Sequence, residues 1–197
     1  MKQTLSEQEL AVLRSNPLFR GLDRAQLDRQ LAVMKAEKTH GERGETLQSP
    51  GKPIRHFGIV LSGAVQVCVD DIEGSRMIMA EVTAGNSFAE SLCFLRTKES
   101  PVYIFASEDS ELLWLSTEDL YAGSDAFYRE IQQRFTATLA MKALTMNNRI
   151  QVLSKLSLRG KLTAYFTELA AAQGSSMIRL PMNCSSTTAR PARGRVR

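Results

Sequence analysis

Gly85-Asn86-Ser87-Phe88-Ala89-Glu90-Ser91-Leu92, running on to Phe105, is the stretch on which the reading of this chain turns. It reads as a turn, a short helix opening on small residues, a loop, and then an apolar run, Val102 to Ala106, with the look of a strand. Gly85 permits a turn closed to residues that carry a Cβ. A helix N-terminus offers free backbone N–H groups and a partial positive charge, which suits an anion. Glu90 is the one charge between Gly85 and Leu95. Its carboxylate can accept hydrogen bonds from the hydroxyl or N–H groups of a ligand. On spacing alone the same residues also describe a plain helical excursion between strands with a solvated Glu90, so the flanking sequence has to decide.

Around this stretch, from Lys38 to Ser116, glycines recur at 41, 44, 51, 58, 63, 74 and 85. Between them lie short alternating or apolar runs: Glu45–Gln48, His56–Leu61, Ala64–Val69, Arg76–Val82, Val102–Ala106 and Glu111–Leu115. Short strands at roughly 8–12 residue spacing with glycine-marked turns predict a small sandwich or barrel. Asp71 to Ser75 reads as a hairpin turn. Six or more strands with one helical excursion make a barrel holding one ligand site.

Helices flank this core. Ser6 and Glu9 form a capping box for a helix to Ser15, and Asp23 with Gln26 can cap a second one bearing Leu27, Leu31 and Met34. Thr117 to about Leu153 reads as helix again, interrupted at Gly123-Ser124-Asp125. Ile131, Phe135, Leu139, Ala143, Met146, Ile150 and Leu153 then recur at helical spacing, widened by Ala137, Met141 and Leu144. A helix of ~40 Å outruns a barrel it merely covers. Its free stripe most simply pairs with a second copy, so a homodimer through Ile131, Phe135, Leu139, Met146, Ile150 and Leu153 is expected. A further helix, Arg159 to Gln173, has Leu162, Tyr165, Phe166 and Leu169 as its inner face and Gly174 as its stop. Met177–Leu180 reads as a short strand.

The net charge of +4 is a property of the C-terminus. The last fourteen residues hold four arginines and no acid; without those four, Lys+Arg falls from 25 to 21, equal to Asp+Glu. A neutral body argues against a broad nucleic-acid-binding face before residue 184. No apolar run approaches the ~20 residues of a membrane span, and the N-terminus has no apolar signal region. A cytoplasmic location without membrane association is the expectation. Cys68, Cys93 and Cys184 are too few and too scattered for a disulfide framework or a zinc site. No nucleophile–base arrangement, paired catalytic carboxylates or phosphate-binding P-loop is present, so no enzyme activity is expected.

In this order of parts the chain resembles the Crp/Fnr family of bacterial transcription regulators. The residues that carry the resemblance are Asn16 to Leu22, the barrel run Gly58 to Val65, and Gly85 to Ala106, which is similar to the family's phosphate-binding cassette in length and without a gap. The resemblance covers about residues 6 to 183. It implies an α+β fold: a small antiparallel β-barrel or jelly roll of cyclic-nucleotide-binding type, a long dimerisation helix, and the start of a helical C-terminal domain. The implied domains are residues 1–120, 121–153 and 154–183, with 184–197 a disordered basic tail. It also implies a role in sensing a small-molecule effector, with candidate ligand-binding residues Gly85, Phe88, Ala89, Glu90, Ser91, Ser100, Pro101 and Thr145. Thr145 is the position an ungapped count reaches on the long helix, where family members touch the adenine; a one-residue slip gives Met146.

Two departures qualify this. In cAMP-binding members the cassette carries Gly-Glu and, later, an Arg that pairs with the cyclic phosphate. Here Ala89 replaces the Gly, Ser100 stands at the Arg position and Pro101 follows. Losing a guanidinium removes a bidentate, charge-assisted contact, and a hydrogen bond to a charged group is worth ~1.5–3 kcal/mol. cAMP is therefore not the expected effector. The resemblance leaves haem-linked sensing as one cofactor reading, with His40 or His56 as the ligand, and Arg55 or Arg76 as substitutes for the missing positive charge. Second, after Asn183 the sequence turns polar and basic where the family has two helices and a wing, as in a truncated or frame-shifted reading. Intact family members bind DNA through a helix-turn-helix; here weak, non-specific contact through the tail arginines is expected. The alternative is a stand-alone ligand-binding dimer, or a partner that pairs with an intact regulator and blocks it.

Overall fold

The computed structural model describes residues 5–70, 76–154 and 157–172. The expected turn at 71–75, the strand at 177–180 and the basic tail lie outside the described residues. Two compact units are present, Met1–Leu144 and Thr145–Arg197.

In the first unit, two short helices precede the strands. In α1, Glu7–Ser15, the side chain of Ser6 accepts from Glu9 N, while the Glu9 carboxylate accepts from Ser6 N at 2.8 Å. In α2, Arg24–Val33, Asp23 and Gln26 repeat that reciprocal cap. These boxes satisfy backbone donors that the first helical turn leaves without partners. Between the helices Phe19 is fully buried.

Eight strands follow: β1 (Glu37–Gly41), β2 (Thr46–Gln48), β3 (His56–Ser62), β4 (Ala64–Asp70), β5 (Arg76–Thr83), β6 (Ser87–Phe88), β7 (Tyr103–Ala106) and β8 (Ser110–Ser116). They make two four-stranded antiparallel sheets, ordered β1-β8-β3-β6 and β2-β7-β4-β5. This is the jelly-roll arrangement. Strands β1 and β6 are additions to the runs read from sequence. β1 (Glu-Lys-Thr-His-Gly) has no large apolar residue and exists because all five of its residues pair with β8. β6 is two residues inside the stretch read as turn and helix.

The core of the first sheet runs along β3, where Phe57 to Leu61 are all buried. Consecutive buried residues mean that both sheet faces are covered. On one face Phe57 meets Phe135 of the long helix, ring centroids 5.7 Å apart. On the other, Gly58 pairs with Trp114 on one side and Phe88 on the other. A Cβ at Gly58 would lie 2.0 Å from the Phe88 ring. The missing side chain is what lets Phe88 lie flat across the sheet and meet Trp114 edge-on at 5.4 Å.

The helix after the barrel starts later than expected. Residues 117–122 are turns, with Glu118 N bonded to Ser116 Oγ, and the side chain of Asp125 caps the true start by accepting from Tyr128 N at 2.9 Å. The long helix, α4, spans Ala126–Leu153. Its apolar stripe divides. Ile131 and Phe135 are each 1 % exposed against their own barrel, so they are not part of any free seam. Leu139 is partly buried on the same core. Met146 and Ile150 are 52 % and 62 % exposed. The side chain of Leu153 lies outside the described residues. In α5, Leu158–Ala172, the intended inner-face residues Leu162, Tyr165 and Phe166 are all exposed among the described residues.

Candidate functional site

The cassette is built from β6, one residue in a left-handed conformation, and a five-residue helix, α3 (Glu90–Phe94). Gly85, at φ +83°, places its backbone against α1: a Cβ there would come 2.5 Å from Ser15 Oγ. Its carbonyl accepts from Asn16 Nδ2 at 2.9 Å, and its N–H donates to Val60 O. Gly85 thus clamps the cassette turn to the N-terminal helices. Phe88 is spent on Gly58 and Trp114. Ala89 sits at φ 65°, ψ 13°. That is the left-handed region, which costs a residue with a Cβ roughly 1–2 kcal/mol. Ala89 thus holds a backbone path that a glycine would take without strain.

Glu90 follows and is 4 % exposed. Its Oε1 lies 2.6 Å from Nζ of Lys142 on α4. The ammonium also donates to Ser87 O at 2.5 Å. The ion pair lies off hydrogen-bond alignment, and Oε1 has no other polar partner among the described residues. Glu90 is thus a buried carboxylate held by the long helix rather than a solvated charge. The sequence did hold a signal for its partner: Lys142 is the single charged residue between Arg134 and Arg149.

The remaining cassette residues point elsewhere. Ser91 and Pro101 are exposed. The hydroxyl of Ser100 is buried in its own loop, donating to Val102 O at 2.9 Å and accepting from Val102 N. Its backbone is laced to the loop before β3: Gly51 N donates to Ser100 O, and Ser100 N to Lys52 O. The hydroxyl of Ser100 is therefore committed to its own loop. Thr145 belongs to the second unit and is exposed.

The other candidates separate. Arg76 lies over Tyr103, 4.4 Å to the ring centroid, and pairs with Asp70. Arg55 and His56 line an open cavity of about 300 Å³ together with Glu37, Gln48 and an apolar wall of Leu47, Pro53 and Trp114. Cys93 is buried, its thiol bonded to Arg55 O at 3.2 Å, and burial pushes that thiol above its ordinary range. His40 is bonded to Glu111 at 2.9 Å. Because His40 pairs with Glu111 and His56 with Ser116, the two imidazoles leave opposite faces of the sheet and cannot share one iron. The cavity is also small beside a porphyrin.

Glu111 is a hub. Lys38 Nζ reaches Glu9 Oε1 at 2.5 Å and Glu111 Oε2 at 3.0 Å, tying α1 to the sheet. Partial desolvation works to raise both carboxyls, but hydrogen bonds outweigh it: from Lys38 and Ser6 at Glu9, from His40 and Lys38 at Glu111. Both are held below the usual carboxylate range. The same contacts, first to Glu9 and then to Glu111, raise Lys38.

Comparison with known proteins agrees with this architecture. Residues 38–124 match the cyclic nucleotide-binding domain family. The catabolite activator protein of Thermus thermophilus is 25% identical, with a TM-score of 0.58, over 71% of this chain and 63% of that one. The N-terminal domain of a transcriptional regulator from Streptomyces coelicolor is 24% identical with a TM-score of 0.55, over 70% of this chain and 95% of that domain. The sensor domain of the transcriptional regulator DNR from Pseudomonas aeruginosa is also 24% identical at 0.55, over 78% of this chain and 99% of that domain. Among curated protein sequences none matches. The barrel is thus a cyclic nucleotide-binding domain. The chain that carries it shares this fold with the sensor domains of these transcriptional regulators.

Proposed function

We propose that this chain is an effector-sensing regulator of Crp/Fnr type whose signal passes from the cassette to the long helix through Glu90 and Lys142, and whose effector is not cAMP. The observation that carries the reading is the buried Glu90 carboxylate held by Lys142. The group that would meet a ribose hydroxyl is already paired, and Ser100 stands where the cyclic phosphate would look for the cassette's guanidinium. A cyclic nucleotide would have to break an ion pair and bury its own charge without a replacement, and removing one partner of a buried pair is strongly unfavourable.

The exposed half of α4 supports homodimerisation. Met146 and Ile150 sit one helical turn apart, and each leaves more than half of its surface in solvent. A second copy laid along this stripe would cover it. DNA contact is assigned to the basic C-terminus as a salt-dependent, sequence-blind interaction, since the rest of the chain carries balanced charge. The alternative, a stand-alone ligand-binding dimer or a blocking partner of an intact regulator, draws on the same charge balance. Sedimentation equilibrium of the wild type and Ile150→Asp tests the dimer. The wild type should be dimeric at micromolar concentration and the variant monomeric; a variant that dimerises unchanged excludes the α4 seam.

A further inference from the structure

The cavity at the mouth of the two sheets is mechanically joined to the cassette. Its loop, residues 51–55, is bonded to the cassette loop by Gly51 N to Ser100 O at 2.9 Å, Ser100 N to Lys52 O at 2.8 Å and Ile54 N to Thr97 O at 3.1 Å. The carbonyl of Arg55 also takes the Cys93 thiol from α3. A ligand that moved Arg55 would therefore move α3, and with it Glu90.

The lining specifies a ligand type. Arg55 ends that loop and His56 opens β3, Arg55 with a planar fork suited to a carboxylate. Glu37, on the first strand of the sheet, pairs in register with Trp114 and offers an acceptor to an ammonium. Gln48 is not available as a donor, since its amide is bonded to Ser49 O and Lys52 O. Leu47, Pro53 and Trp114 supply the apolar surface between. At about 300 Å³ the space lies at the lower end of small-molecule sites, roughly 300–1,000 Å³.

We infer that this cavity, and not the helical end of the cassette, is the effector seat, and that it takes a small amphoteric ligand: a carboxylate for Arg55, an amine for Glu37, and an apolar body against Trp114. The inference rests on the effector-sensing reading for its consequence, while the binding itself is independent of it.

Trp114 is the single tryptophan of the chain, so its emission reports on the seat directly. The probe is 4-(aminomethyl)benzoate, titrated into the full chain and into Arg55→Gln and Glu37→Gln, with benzoate and benzylamine as comparators. Arg55 and Glu37 are both exposed, so their variants fold. The probe should give a saturable change in Trp114 emission. Benzoate, benzylamine and the Arg55→Gln variant should each bind at least tenfold more weakly. No saturable change at millimolar probe, or an unaltered response in Arg55→Gln, overturns the inference. If cAMP saturates the protein at low micromolar concentration with Arg55→Gln unaffected, this seat is excluded while effector sensing stands. If the probe binds as expected but leaves the dimer equilibrium unchanged, the seat stands and the sensing role fails.

Discussion

Lys142 of the long helix reaches the buried carboxylate of Glu90 at 2.6 Å and, with the same ammonium, the carbonyl of Ser87 at 2.5 Å. One side chain thus holds both the short edge strand β6 and the first residue of the cassette helix. Because Glu90 Oε1 has no other polar partner among the described residues, the pair behaves as a latch between the cassette and the long helix.

Breaking that latch from one side should be costly and from both sides much less so. Lys142→Met leaves a buried carboxylate without a cation and should destabilise the first unit by about 1–3 kcal/mol. The double variant Glu90→Leu with Lys142→Met should recover most of that loss. Urea unfolding of the wild type, the two single variants and the double variant forms the cycle. Additive losses would show that the two residues do not act as a pair.

Ala89 offers the opposite kind of test. Its φ of 65° is strain that a glycine would not feel. Relief of about 1–2 kcal/mol is partly offset by the extra freedom glycine gives the unfolded chain, about 0.4–1 kcal/mol. Ala89→Gly should therefore raise the urea midpoint modestly. A fall would mean that the Ala89 methyl, which packs on the core, contributes more than its strain costs.

How much of this was legible beforehand varied with the kind of interaction. The strands with their own apolar alternation, and the two capped helices, were readable because local residues specify them. β1 was not, because Glu37 to Gly41 forms a strand only through its partner β8. The long stripe on α4 was visible, but not its division: the spacing of Ile131, Phe135, Met146 and Ile150 is helical throughout, and only the position of Phe57 and Phe94 beneath Phe135 decides where the barrel ends. At the site, Glu90 stood out as a lone charge, whereas its engagement by Lys142 depends on tertiary packing. Ser100 was read as a ligand group from its place in the cassette, and its hydroxyl turned out to be used by the loop itself.

The Glu9–Lys38–Glu111 cluster gives a pH dependence with a definite sign. Both carboxyls are held below their ordinary values in the folded protein. They therefore contribute stability that is complete above the unfolded pKa, about 4.3, and is lost as pH falls through the folded values. Lys38 is raised, so its share persists through neutral pH and is lost only as pH rises beyond about 10.4. Hydrogen exchange should show α1 loosening below about pH 4 while the sheets hold. In Lys38→Met that acid step should shrink and neutral-pH stability should fall by up to about 1 kcal/mol. An acid transition unchanged by Lys38→Met would assign it to other groups.

The most direct test is an equilibrium calorimetric titration of the whole chain with cAMP at physiological salt. With Ser100 turned into its own loop and Glu90 latched by Lys142, no saturable binding should appear at low micromolar concentration. Saturation in that range would contradict the account, because it would mean that the cassette accepts a cyclic phosphate without a guanidinium and that the latch opens at little cost.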